Sequence, residues 1–153
     1  MQLPPDPYEL RVYEVLPPVA FLGVAPPKLR LYSCRVSAGF PSPADDHLDR
    51  VLSLDEHLVR NPASTFMVRV EGESMAGDNI HDGDVLVVDR AGRVVDGKVV
   101  VAAVDGELLV KRLRLRGGRA FLEPANGEYP TLEVTDCVDL VVWGVVLHVI
   151  HSL

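Results

Sequence analysis

With 153 residues, 48% of them hydrophobic, the chain is long and apolar enough for one domain with a core, which excludes a disordered protein. A net charge of −7, from 15 basic and 22 acidic residues, disfavours a general nucleic-acid binder, which needs a basic face, although not a protein that works beside DNA while held by another protein. Two cysteines, Cys34 and Cys137, make no disulfide scaffold and fit reduced thiols in the cytoplasm; no apolar run reaches bilayer length.

The first 40 residues differ from the rest. Pro4, Pro5, Pro7, Pro17, Pro18, Pro26 and Pro27 forbid long helices, and with them a helix-turn-helix. Strand-like pieces at Glu9 to Val15 and Lys28 to Tyr32 suit an extended arm lying on the domain. The start, Met1 to Leu10, lacks the basic region of a secretory signal. Ser42 and Pro43 suit the cap and first position of a short helix over Ala44 to Val51. Ser53-Leu54-Asp55-Glu56 fits a capping box opening a second short helix, which Asn61-Pro62 ends near Arg60.

From Phe66 onward the pattern is β. Strands are expected at 66–70, 84–89, 98–104, 107–115, 119–123, 131–134 and 138–150. Turns at Asp82-Gly83, Asp96-Gly97 and Asp105-Gly106 separate several of them, and Gly144 is expected to bend the last. The fold class is mostly β: curved antiparallel sheets, two short helices and an extended N-terminal arm.

Between the first two of these strands lies Ser74-Met75-Ala76-Gly77-Asp78-Asn79-Ile80-His81-Asp82-Gly83-Asp84. Such a turn holds a serine hydroxyl clear of a sheet, as a nucleophile requires; by itself it also suits a serine that only caps its own turn. In the strand 107–115, Lys111 shares one face with Leu109, Leu113 and Leu115, whereas Arg112 and Arg114 lie on the other. An amine among leucines loses hydration, its ammonium form is disfavoured, and the neutral amine is a general base. The bland alternative is a lysine whose head snorkels to water. No Cys/His spacing suits a zinc site. His81 or His148 would be the base of a Ser-His-Asp triad, although neither has a recognisable partner.

Several stretches together match a known pattern: Gly72-Glu73-Ser74-Met75, Ile80-His81-Asp82-Gly83-Asp84, Asp96 to Glu107, Val110-Lys111-Arg112-Leu113 and Trp143 to Ile150. Ala38-Gly39-Phe40-Pro41-Ser42-Pro43-Ala44 is similar to a processing site. In order and spacing over residues 38–153 the chain resembles the LexA/UmuD group of self-cleaving serine peptidases, UmuD-like proteins most closely. The joint signal is a Ser/Lys pair 37 residues apart with a small-residue bond 36 residues upstream of the serine. The resemblance implies that Ser74 is the nucleophile, Lys111 its neutral base and Ala38–Gly39 the scissile bond. It divides the chain into an arm, 1–38, removed by self-cleavage, and a Ser/Lys peptidase-like β domain, 39–153. It implies no cofactor or metal.

It further implies a protein of the bacterial DNA-damage (SOS) response, cytoplasmic and homodimeric. A RecA filament on single-stranded DNA would stimulate cleavage, and the shortened form would serve a UmuC-like Y-family polymerase in translesion synthesis. Neither a membrane nor sequence-specific DNA is an expected partner. The arm is longer and richer in proline than the family pattern, and Glu73 stands where Asp is common. Two other readings stay open: a LexA-like or phage-type repressor, which needs a DNA-binding module before the bond, and a non-cleaving binding protein of the same fold. A signal peptidase shares the Ser/Lys pair and needs a membrane anchor.

Overall fold

The computed structural model describes residues 11–16, 28–32 and 48–153. They fall into two units. One comprises Asn61–Leu153 together with Met1–Pro18, the other Val19–Arg60.

The larger unit is built on one sheet of eight strands: β1 (Arg11–Leu16), β4 (Thr65–Glu71), β5 (Val85–Asp89), β6 (Val99–Val104), β7 (Glu107–Arg116), β8 (Arg119–Glu123), β9 (Leu132–Val134) and β10 (Leu140–Ile150). The order is β1-β4-β5-β10-β6-β7-β8-β9, every pairing is antiparallel, and β1 also meets β7. That last contact links six strands into a closed circuit. The seven strands expected from Phe66 onward all form, each within two residues of its expected ends.

Turn chemistry explains this agreement. Asp105 and Gly106 both have positive φ, 50° and 87°, as a two-residue type I′ hairpin requires, and they pair Val104 with Glu107. Gly117 and Gly118 do the same between β7 and β8. The bend at Gly144 is a register shift between Val142 and Gly144 against β6. A Cβ at Gly144 would lie 2.7 Å from Val88 Cγ1 and 2.8 Å from the Asp89 carbonyl oxygen, so only glycine lets β10 approach β5 here.

Alternation along the strands gives two cores. Phe66, Val68, Val70, Met75, Ile80, Leu86, Val88, Val101 and Val110 form one. Their neighbours of opposite parity, Val100, Ala102, Leu109 and Leu113, join Val104, Leu122 and Val145 in the other. The loop entering β4 is tied to the end of β5: Ser64 Oγ donates to Asp89 Oδ1 (2.6 Å), and Asn61 Nδ2 donates to Asp89 Oδ2 (2.8 Å).

In the smaller unit β2 (Lys28–Tyr32) pairs antiparallel with β3 (Leu48–Ser53), and α1 (Leu54–Leu58) follows. The helix expected over Ala44 to Val51 is corrected here: Leu48 to Val51 are strand, and Ala44 to His47 lie outside the described residues. Two helical turns cannot sustain themselves in isolation, whereas β2 offers this segment a full ladder of backbone partners. The second helix forms, but Ser53 makes no side-chain cap; its hydroxyl is buried without a partner. Among the described residues no helix is long and apolar enough to cross a membrane.

Two outcomes are expected. Gly144→Ala should cost about 1–3 kcal/mol in urea unfolding, because the colliding atoms are core and backbone. The bonds from Ser64 and Asn61 hold the Asp89 carboxyl below the usual carboxylate range. A depressed folded pKa adds stability that is fully present at neutral pH and is lost as pH falls from about 3.8 through the folded value. Asp89→Asn should therefore lower Tm at pH 7, and calorimetry in acid should show the gap to wild type narrowing.

Candidate active site

β4 ends at Glu71 and β5 begins at Val85, so the intervening loop is closed at its base by the strand pair itself. Val70 N donates to the Asp84 carbonyl (3.0 Å), and Gly83 N donates to the Val70 carbonyl (3.0 Å). Inside it, Ala76–Asp78 forms one 3-10 turn. Asn79 follows in the left-handed region, φ 56°, and donates its N–H back to Ala76 (3.0 Å). Met75 and Ile80 flank this turn and are buried in the core around Val68 and Leu86. Two apolar anchors thus pin the loop on either side of a reverse turn and leave Ser74 no freedom to swing away.

Ser74 is fully buried, and Lys111 on β7 is 4% exposed. Their polar ends meet: Lys111 Nζ donates to Ser74 Oγ at 2.8 Å. Along β7 the lysine has the parity of Leu109 and Leu113, both buried, and it registers opposite Val100 on β6. The apolar face expected from the strand pattern is therefore real at Lys111. At its far end it is not, since Leu115 is half exposed.

Two features that sequence reasoning missed hold this contact. The first is the connection between β8 and β9. Ala125 N donates to the Ser74 carbonyl (2.9 Å), Gly77 N donates to the Ala125 carbonyl (2.8 Å), and Asn126 Nδ2 donates to the Glu73 carbonyl (3.2 Å). Backbone pairing between distant loops leaves no trace in residue type, so only the glycine at 77 hinted at it. The second is Arg112. Its guanidinium donates to the Gly97 carbonyl and pairs with Asp78 Oδ1 at 2.6 Å. One residue beyond Lys111, and on the opposite face, the strand thus grips the loop that carries Ser74. An acid four residues after the serine and a base one residue after the lysine were the available signal.

Two of the histidines lie against carboxylates. His81 Nδ1 lies 3.1 Å from Glu73 Oε2, and His151 Nδ1 lies 2.6 Å from Asp84 Oδ1. His148 registers opposite Val87 in β10. Among the described residues no group of three or more His, Cys, Asp or Glu side chains is placed to hold a metal ion. Ala38 and Gly39 lie outside the described residues.

Comparison with known proteins bears on this arrangement. A family model described as Peptidase S24-like matches residues 30–147. Protein MucA of Salmonella typhimurium is 47% identical over 118 residues, covering 76% of this chain and 80% of that protein. Protein SamA of the same species is 45% identical over 122 residues, 80% of this chain and 84% of that one. The LexA repressor of Vibrio cholerae is 38% identical over 119 residues, 77% of this chain but 56% of the repressor.

A side chain at position 77 would drive its Cβ into the Ala125 carbonyl oxygen, a backbone atom that cannot step aside. Gly77→Ala should therefore destabilise the fold by about 1–3 kcal/mol, read from the urea midpoint.

Proposed function

The chain belongs to the S24-like peptidase family and is a UmuD-like member of its LexA/UmuD group; from that premise we propose that it cuts its own backbone at Ala38–Gly39 with Ser74 as nucleophile and Lys111 as base. The observation that carries this reading is the 2.8 Å approach of Lys111 Nζ to Ser74 Oγ in a buried setting. An exposed Ser/Lys contact would be an ordinary hydrogen bond between solvated groups. Burial changes its chemistry, because it disfavours the ammonium and favours a neutral amine that accepts the serine proton.

The steps follow from the two side chains. Ser74 Oγ attacks the Ala38 carbonyl carbon as its proton passes to Lys111 Nζ. The tetrahedral adduct collapses, the Ala38–Gly39 bond breaks, and Lys111 returns the proton to the Gly39 amine. Water then hydrolyses the Ala38–Ser74 ester, again with Lys111 as base. Ala38 and Gly39 carry almost no side chain, so the backbone can be drawn close to the nucleophile. Phe40 before Pro41 favours an extended approach. Because substrate and catalyst share one chain, the effective concentration is high and a slow catalyst suffices.

The wider role extends the family membership. A RecA filament on single-stranded DNA stimulates the cut, and the processed protein, a cytoplasmic homodimer, serves a UmuC-like Y-family polymerase in the SOS response. The boundary of the processed domain is at residue 39. A repressor would instead need a recognition helix ahead of the bond; the described elements there, β1 and β2, are strands.

Intact-mass spectrometry over time tests the chemistry. Wild type should yield two fragments parting between Ala38 and Gly39, while Ser74→Ala and Lys111→Ala stay whole. The rate should rise with pH, about tenfold per unit below the folded Lys111 pKa, because only the neutral amine is a base. Adding RecA, ATP and single-stranded DNA should accelerate it further. A chain that stays whole under all of these conditions overturns the proposal in favour of a non-cleaving binding protein.

A further inference from the structure

If the chain is cut at Ala38–Gly39, both described strands that precede the bond are already paired with strands that follow it. β1 lies along β4, with Arg11 opposite Glu71, Val12 opposite Val70, Glu14 opposite Arg69, Val15 opposite Val68 and Leu16 opposite Met67. β2 lies along β3, from Lys28 opposite Ser53 to Tyr32 opposite Leu48. We infer that the piece 1–38 does not leave when the bond is cut: it stays bound as two inserted strands, so the product of cleavage is a nicked protein, and loss of the arm is a separate, later step.

Three observations carry this. First, the ladders are independent. β1 belongs to the unit of Asn61–Leu153, whereas β2 belongs to the unit of Val19–Arg60. A fragment held at two places by a short connection rebinds intramolecularly whenever one ladder opens, and such linkage commonly raises retention by ~10²–10⁴. Second, removing β1 would strip the outer edge of β4 of its backbone partners from Met67 to Glu71, over strand residues Val68 and Val70 whose side chains are core. Third, β1 closes the sheet beside the site. Arg11 registers with Glu71 on β4 and also with Leu109 on β7. Glu71 stands three residues before Ser74, and Leu109 two before Lys111. The strands that deliver the two reacting side chains are joined here through β1. Within the sheet, the other path between them runs the long way through β5, β10 and β6. The piece before the bond is thus part of the framework that holds the dyad.

The inference takes only the position of the cut from the reading above, and its test supplies the cut from outside. A recognition sequence for a specific endopeptidase is inserted between Ala38 and Gly39 of the full chain carrying Ser74→Ala, and the protein is nicked to completion. Denaturing mass spectrometry should give two pieces. Native mass spectrometry and gel filtration at micromolar concentration should give one species with the mass of both. In the same chain, Glu14→Pro with Val15→Pro breaks the β1 ladder whichever edge each N–H faces, since neighbouring N–H groups point to opposite sides. The dissociation constant of the piece 1–38 should then rise at least tenfold, with circular dichroism confirming that the remainder is folded. A wild-type piece that separates at micromolar concentration overturns the inference, as does a proline variant that retains the piece as tightly as the parent. A chain that never cuts itself leaves this readout intact, so the two proposals fail separately.

Discussion

Everything near the site depends on one buried polar contact, the 2.8 Å approach of Lys111 Nζ to Ser74 Oγ. Burying an amine and a hydroxyl is costly unless each finds a partner, and an isolated ammonium in an apolar setting costs far more. The fold accepts that cost with a rigid frame. Met75 and Ile80 fix the serine loop from below in the core. The pairing of β6 with β7 fixes the lysine, with Val100 opposite it. A slip of one residue in that register would turn Arg112 to the lysine's face and take the amine out of reach, so the Asp105-Gly106 turn, far from the chemistry, sets where the amine sits.

The contact is then braced from two further directions. Ala125 exchanges backbone bonds with Ser74 and Gly77, joining the serine loop to the β8–β9 connection. Arg112 joins the same loop to β7 and to Gly97. Asp78 Oδ2 is buried and has no hydrogen-bond partner, so this carboxylate is committed to Arg112 through its other oxygen. An ion pair that is a quarter exposed contributes little to stability by itself. Its value is geometric: it couples the positions of residues 78 and 112, one close in sequence to Ser74 and the other to Lys111.

What was legible in the sequence was local. Alternation located the strands after Phe66, and at Asp105-Gly106 the turn itself fixed the β6–β7 hairpin, because a two-residue turn with both φ positive permits almost nothing else. The meeting of Ser74 and Lys111 was legible through a family pattern and through the parity of one strand. Features made by distant backbone were not. Nothing in Leu48 to Ser53 announces β2 as a partner, and a serine-proline start outweighed it. Nothing in Arg11 to Leu16 says that this strand closes a circuit between β4 and β7. The capping box failed for a related reason: the Ser53 side chain is buried at the end of β3 and is not available to the first turn of α1.

The strand-like pieces expected among the prolines, at Glu9 to Val15 and Lys28 to Tyr32, form as β1 and β2. Proline excludes helix, but it does not exclude strand, and between prolines the chain supplies two strands to two units. Cutting a peptide bond removes one covalent link and leaves every ladder bond in place. What changes is entropy: the piece gains the freedom to leave, and whether it leaves depends on the ladders it would have to break. With Ser74 just beyond β4, Lys111 on β7 and β1 paired to both strands, breaking the chain between β2 and β3 and releasing the piece before the break would be distinct events with distinct barriers.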